Sequence, residues 1–244
     1  MAGSNQSIDN HPVLSRREWL SVRTAFLAKE KEFTRLRDQL SRQRRELPWV
    51  KVDKAYEFDG PAGRETLADL FAGKGQLVVY HFMFAPEWDE GCPSCSFWAD
   101  NFNGIDTHLD QRDVTFVAIS RASLAKIESF KKRMGWTFKW VSSGRSDFNF
   151  DYNVSFTPDQ RSGGTTFYNY SKTDPGQADR EGISVFLNDG AGTIYHTYSC
   201  YARGIDIVNG AYHFLDLVPK GRDEDGLGFT QAWVRYHDRY TEPA

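Results

Sequence analysis

The fold of this chain is decided by residues 77–95, which read LVVYHFMFAPEWDEGCPSC. Residues 77–84 form a nearly unbroken apolar run that contains β-branched residues, and a run of this length predicts a buried strand. Two cysteines three positions apart follow, Cys92 and Cys95, with Pro93 between them. Because proline suits the first position of a helix, we expect the cysteine pair where the loop after the strand becomes a helix.

The position of the cysteine pair predicts thiol chemistry. At a helix start, unpaired N–H groups and the positive end of the helix dipole stabilise a thiolate at Cys92. Residues three apart share one helix face, at about the 5.5 Å Cα separation that a disulfide needs. We therefore expect Cys92 to be the exposed attacking thiolate and Cys95 to resolve the mixed disulfide that it forms.

Arg121 is a further candidate for the environment of this thiolate. It follows a second predicted strand, residues 114–119, and the carboxyl ends of parallel strands share one edge of a sheet. Arg121 should thus lie on the Cys92 side, where it could bind an anion or stabilise the thiolate. We favour the alternative, a surface arginine without such a role.

The residues around the pair allow more than one interpretation. Trp88 could offer an apolar platform for a substrate, whereas Trp98 is expected in the core. Three carboxylates precede the pair and could raise the pKa of Cys92, relay a proton or only keep the loop soluble. They are Glu87, Asp89 and Glu90.

Composition excludes several functional classes. The chain has 244 residues with 30 Lys and Arg against 33 Asp and Glu, a net charge of −3, so we expect no binding to nucleic acid or anionic lipid. Hydrophobic residues make up 40% of the chain, which predicts a folded protein. No apolar stretch is long enough to cross a bilayer, and residues 1–10 lack the pattern of a secretory signal. A cytoplasmic protein is therefore expected.

Residues 15–46 predict a long amphipathic helix. Apolar residues recur every seven positions, at Trp19, Phe26, Phe33, Leu40 and Leu47. Such a heptad seam can pair two copies of the chain into a homodimer, but Lys29 and Gln43 interrupt its second row. We favour the alternative, in which the helix lies across its own domain.

The other elements follow in the order of a thioredoxin fold: strand, helix, strand, helix, then an antiparallel hairpin and a last helix. Their predicted bounds are strands 50–58, 77–84 and 114–119, helices 66–71, 93–109 and 124–134, a hairpin of 183–187 with 193–199, a helix over 205–217 and a short element at 232–236. Residues 142–182 are rich in Ser, Gly and Asn and predict a partly irregular insertion with one strand at 165–170. We thus expect an N-terminal tail and helix in 1–47 and a thioredoxin-like domain in 48–244.

Long motifs of the chain resemble those of one bacterial family. They are residues 76–84 (QLVVYHFMF), 91–97 (GCPSCSF), 133–136 (RMGW), 196–199 (HTYS) and 201–204 (YARG). On these the chain resembles the bacterial domain-of-unknown-function family number 899. The resemblance implies an α/β thioredoxin-like fold of the peroxiredoxin-like variety and a dithiol-disulfide oxidoreductase without a cofactor.

Two motifs of related folds are absent. Thioredoxins place a cis-proline before the hairpin strand that faces the cysteines, whereas residues 180–183 here read REGI. The peroxiredoxin signature P-x-x-x-T-x-x-C is missing as well, since Pro86 stands six positions before Cys92 with no threonine between them. Weak peroxidase activity at most is expected.

Three functional hypotheses remain after these comparisons of motifs. We favour an oxidoreductase that exchanges thiols with a protein or small-molecule disulfide. A redox-inactive interaction module of thioredoxin fold is the second. The third is a metal-binding or metal-delivering protein that uses Cys92, Cys95 and His196, although a structural zinc site needs four ligands. His81 and His196 are expected as hydrogen-bonded core residues and Cys200 as a small buried one.

Overall fold

The computed structural model describes residues 11–174 and 176–240. The prediction about a secretory signal rests on residues 1–10 and lies outside this range. Among the helices of the described chain, none is long and apolar enough to span a membrane.

An eight-stranded mixed sheet forms the centre of the molecule, in the order β1-β10-β9-β4-β5-β6-β2-β3. Strands β4, β5 and β6 are parallel, and the hairpin β9-β10 joins them antiparallel beside β4. The strands are β1 (Val50–Lys51), β2 (Glu57–Gly60), β3 (Gly63–Thr66), β4 (Gln76–His81), β5 (Val114–Ser120), β6 (Lys139–Ser142), β9 (Gly182–Asn188) and β10 (Ile194–Tyr201). A separate two-stranded sheet pairs β7 (Thr166–Tyr168) with β8 (Ser171–Thr173).

Burial on both sheet faces explains why β4 reads as a continuous apolar run. Leu77 and Val79 pack into one core cluster with Phe186, and Tyr80 packs into the cluster on the other face, which also contains Cys95. The side chains of a strand alternate between the two faces of the sheet, so β4 contributes buried side chains to both core clusters. The predicted strand 114–119 is thus confirmed as β5, whereas the strand predicted over 77–84 is confirmed as β4 only as far as His81.

Within residues 11–174 and 176–240, seven α-helices surround the sheet or extend from it. They are α1 (Arg16–Arg45), α2 (Pro93–Ala99), α3 (Ile105–Asp110), α4 (Leu124–Arg133), α5 (Phe148–Asp151), α6 (Pro158–Ser162) and α7 (Gly210–Leu215). The predicted helix 93–109 is wrong as one element. The chain turns between α2 and α3, where Gly104 takes a left-handed backbone with φ of 83°.

Other predicted elements change their bounds. The strand predicted over 50–58 is two short strands, β1 and β2, and the helix predicted over 66–71 is a 3₁₀ turn at Asp69–Phe71. The helix predicted over 205–217 is a 3₁₀ helix, Ala202–Val208, followed by α7. Asn209 separates these two because its side chain accepts the N–H of Tyr212 and starts a new helix. Residues 232–236 contain no regular element.

The insertion predicted over 142–182 is more regular than expected in its described residues, 142–174 and 176–182. It contains α5, α6, β7 and β8, and its end is fixed at Asp179, which is buried. The Asp179 carboxylate accepts from Arg121 Nε at 2.8 Å and from Ser155 Oγ at 2.7 Å. The strand predicted at 165–170 is shortened to β7 and followed by a turn and β8.

Helix α1 begins with a capping box between Ser15 and Glu18, which have the S-x-x-E spacing that this motif requires. The expectation that it lies across its own domain is wrong, because none of its residues is buried and its apolar side chains are exposed. Near its end, the Arg44 guanidinium stacks over the Tyr198 ring at 4.9 Å. The remainder of the described chain has a thioredoxin-like fold with a long added N-terminal helix and an insertion before the hairpin.

Candidate active site

The two cysteines lie where β4 leads into α2. Cys92 is the N-cap of α2, Pro93 is its first residue and the Cys95 N–H donates to Cys92 Sγ at 3.5 Å. Cys92 is partly exposed, whereas Cys95 is 2% exposed and its sulfur accepts from the Met83 N–H at 3.4 Å. Both are free thiols. The predicted placement of one accessible and one buried sulfur on a single helical turn agrees with this geometry.

The surroundings of the two thiols give them different pKa values. The pKa of Cys92 lies below the ordinary cysteine value, chiefly because the Cys95 side chain hydrogen-bonds to its sulfur, with a further contribution from the Cys95 N–H. Burial raises the pKa of Cys95 well above its ordinary value. Since the thiolate is the nucleophile, the pair has one sulfur prepared for attack and one held protonated.

The backbone before Cys92 is fixed from three sides. The Cys92 N–H donates to the Met83 carbonyl at 3.0 Å, and the Tyr236 hydroxyl donates to the Gly91 carbonyl at 2.6 Å. A Cβ at Gly91 would lie 2.6 Å from the Phe82 ring, so only glycine fits this approach. Tyr236 comes from the C-terminal segment, and the sequence had not indicated its role.

Of the three carboxylates that precede the pair, Glu90 is engaged by arginines. Its carboxylate accepts from Arg133 and Arg239, and Arg133 also donates to Asp238. Although burial opposes it, the pKa of Glu90 is lowered because both arginines donate to it. Glu87 and Asp89 are exposed. Charge repulsion from these three is not among the main causes that act on Cys92.

The carboxylate that does act on the pair is Glu181, which the sequence analysis missed. Its charge raises the pKa of both Cys92 and Cys95. Glu181 directly precedes β9, in the segment where thioredoxins place their proline, and its carbonyl accepts from the Tyr168 hydroxyl at 2.9 Å. The order of the secondary-structure elements could have identified Glu181, because this order places the segment before β9 opposite the cysteines.

The other predicted site residues have different surroundings. The Arg121 guanidinium binds Asp179 and stacks over the Phe150 ring at 5.3 Å, and it is not among the main causes that act on the pKa of Cys92. Trp88 is half-buried against the core cluster that includes Cys95, and its carbonyl accepts from Lys126 Nζ at 2.7 Å. Trp98 is buried, as predicted, with its indole N–H donating to a backbone carbonyl.

His81 and His196 are joined by two serines, as hydrogen-bonded residues in and near the core. His81 Nε2 lies 2.8 Å from Ser184 Oγ, which lies 2.8 Å from Ser199 Oγ, and that oxygen lies 2.7 Å from His196 Nε2. Within the described ranges, no three His, Cys, Asp or Glu side chains are close enough to hold a metal ion. The set Cys92, Cys95 and His196 is therefore not brought together. Cys200 is buried, as expected.

A family model described as "Bacterial protein of unknown function (DUF899)" matches residues 8–240 of the chain. A search of curated proteins finds no match.

Solved structures with a similar backbone are distant in sequence. A mutant of peroxiredoxin Q from Xanthomonas campestris is 15% identical with a TM-score of 0.45, and the match covers 66% of this chain and 89% of that one. The peroxidoxin BcpB from Mycobacterium tuberculosis is 13% identical with a TM-score of 0.44, covering 66% and 93%. A candidate thiol:disulfide interchange protein DsbE from Chlorobium tepidum is 14% identical with a TM-score of 0.41, covering 68% and 94%.

Proposed function

The chain belongs to the DUF899 family of bacterial proteins, and we propose that it is a dithiol-disulfide oxidoreductase whose reacting groups are Cys92 and Cys95. The observation that carries this proposal is the difference between the two sulfurs. Cys92 is accessible with a lowered pKa, and Cys95 is buried beside it with a raised pKa. Such a difference is what an attacking and a resolving thiol require.

The reaction begins with attack of the Cys92 thiolate on a substrate disulfide. A bond forms between Cys92 Sγ and one substrate sulfur, the substrate disulfide breaks, and the other sulfur leaves as a thiolate that takes up a proton. Cys95 then loses its proton and attacks Cys92 Sγ, which releases the second substrate thiol and leaves a Cys92–Cys95 disulfide. The substrate is reduced by two electrons and the protein is oxidised by two, and the exchange is reversible.

Hydrogen bonds of the site support each half of this exchange. The Cys95 N–H at 3.5 Å supports the Cys92 thiolate before attack. The Met83 N–H at 3.4 Å from Cys95 Sγ can support that sulfur when it becomes a thiolate. The substrate is a protein or small-molecule disulfide, and Trp88 and Pro93 flank the sulfur that it would meet. The reacting domain comprises residues from 48 onward, and we place its activity in the cytoplasm, where thiols are kept reduced.

Oxidised glutathione tests the proposal with three variants. Cys92→Ser should abolish the exchange, because the attacking thiolate is lost. Cys95→Ser should retain attack and accumulate a glutathione adduct on Cys92, because the resolving thiol is absent. Cys200→Ser is the matched control and should behave as the wild type.

Intact-protein mass spectrometry over time measures the adducts. A wild type that forms no internal disulfide, or an adduct that forms first on Cys95 or Cys200, would contradict the proposed roles. If Cys92→Ser exchanges as fast as the wild type, Cys92 is not the attacking thiol, and if the wild type forms neither an adduct nor an internal disulfide, the redox-inactive module is the better interpretation.

A further inference from the structure

Helix α1 carries an apolar stripe, interrupted in its second row by Lys29 and Gln43, that no other part of the described chain covers. Its 30 residues span about 45 Å. Residues of the stripe are between 45% and 65% exposed, namely Trp19, Val22, Phe26, Phe33, Leu36, Leu40 and Leu47. Single exposed apolar residues are common on proteins, but a row of exposed apolar side chains of this length marks an interaction surface.

The stripe is a heptad seam. Trp19, Phe26, Phe33 and Leu40 occupy its first row, and the second row contains Val22 and Leu36 together with Lys29 and Gln43. A seam with a repeat of seven pairs helices by interlocking side chains. The natural occupant is the same seam of a second copy, because it has the same length and spacing.

The seam residues favour an antiparallel pair. A parallel pair would place Lys29 against Lys29 of the other copy and each aromatic residue against itself. In an antiparallel pair, Lys29 faces Phe33 of the other copy, a cation beside an aromatic face. Phe26 then faces Leu36 of the other copy, so large and smaller side chains alternate as close packing requires.

The charged residues that flank the seam, and the contact of Arg44 near the end of α1, agree with an antiparallel pair. In the antiparallel register, Glu30 faces Arg37 of the other copy on both sides of the pair. Arg23 would face Arg44, but the Arg44 guanidinium is turned onto the Tyr198 ring of its own domain.

An apolar cleft of about 670 Å³ opens at the end of the seam, lined by Leu47, Pro48 and Val50 among others. The antiparallel register brings the start of the other copy's α1 to this cleft. That start is preceded by Val13 and Leu14, which are 97% and 45% exposed. The cleft and the exposed end are therefore complementary in position and in chemistry.

We propose that two copies of the chain form a homodimer by antiparallel pairing of α1, with residues 13–14 of each copy in the cleft beneath the helix of the other. The two cysteine sites then belong to domains at opposite ends of the paired helices. The proposal depends on α1 and the cleft alone, and it stands or falls independently of the redox function.

Sedimentation velocity of the full chain over a range of concentrations tests the pairing. The wild type should be a dimer. Phe26→Glu, which places a charge in the seam of both copies, should raise the dimer dissociation constant roughly a hundredfold. Lys31→Glu lies on the opposite face of α1 and is the matched control, expected to remain a dimer. A monomeric wild type, or a dimer that Phe26→Glu leaves intact, would overturn the proposal.

Charge-reversal variants test whether the two copies of α1 pair antiparallel or parallel. Glu30→Arg and Arg37→Glu should each weaken the dimer roughly tenfold, since each creates two like-charge contacts in the antiparallel pair. The double variant should recover the affinity that those contacts cost, but not the ion pair that Glu30 makes with Arg23 of its own helix at 2.8 Å. In a parallel pair Glu30 faces Ala25, so Glu30→Arg would change little and the double variant would not recover. That second pattern would overturn the antiparallel arrangement.

Discussion

Burial of His81 makes a quantitative prediction about acid stability. Its side chain is 1% exposed and stacks against the neighbouring rings of Phe148 and Tyr152, with centroid distances of 5.7 and 6.1 Å. Burial, with the nearby charge of His196 as a smaller cause, lowers the pKa of His81 to about 3. Nε2 contacts Ser184, and Nδ1 has no hydrogen-bond partner within the described residues, which suits a neutral ring.

Proton uptake by His81 determines whether the free energy of unfolding rises or falls with pH. An unfolded chain protonates this histidine near pH 6.5, whereas the folded chain does not until about pH 3. Between these values the unfolded state binds more protons, so the free energy of unfolding falls as the pH falls. From pH 7 to pH 5 the loss that His81 causes is about 2 kcal/mol.

Urea unfolding at pH 7 and pH 5, followed by tryptophan fluorescence, measures this loss at one protein concentration. His81→Gln keeps a group that can hydrogen-bond Ser184 but does not titrate, so its loss should be smaller than that of the wild type by about 2 kcal/mol. Part of the pH dependence should remain, because burial also lowers the pKa of His196. His213→Gln, at an exposed histidine of α7, should behave as the wild type. Equal losses in the wild type and His81→Gln would refute this reasoning.

Three further predictions concern the cysteine site. Glu181→Gln should lower the pKa of Cys92, because the charge of Glu181 raises it, and iodoacetamide labelling against pH measures the shift; an unchanged profile would contradict this role. Tyr236→Phe should lower the free energy of unfolding by about 1–2 kcal/mol, because the Gly91 carbonyl loses its donor. Thermal melts measure this loss, and Tyr240→Phe is the control, which should melt as the wild type does. Hydrogen peroxide should oxidise Cys92 no faster than a free thiolate at the same pH, since no threonine hydroxyl precedes it; a far faster rate in stopped flow would show that another group activates peroxide.

The central strands and the cysteine turn could be predicted because their signals are local. β4 and β5 are apolar runs buried on both faces, and Pro93 marks the start of α2. β3 and β6 were missed for a physical reason. Each has only four residues, and β3 is an exposed edge strand without an apolar pattern.

The surroundings of the cysteines could be predicted only in part, because they come from distant segments. Tyr236 reaches Gly91 across 145 positions of the chain. Arg121 does follow β5 as expected, but its partner Asp179 belongs to the insertion, whose path depends on tertiary packing. Nothing in the local sequence of Arg121 indicates that partner.

The central claim is that Cys92 and Cys95 form a reversible redox pair. Peptide mass mapping after mild oxidation, beside a metal analysis of the untreated protein, tests it most directly. We expect a Cys92–Cys95 disulfide that dithiothreitol reverses, with Cys200 left free and no stoichiometric metal. A link that does not form, or one that joins Cys200 to either cysteine, would contradict it. So would near-stoichiometric zinc or copper that prevents oxidation until it is chelated.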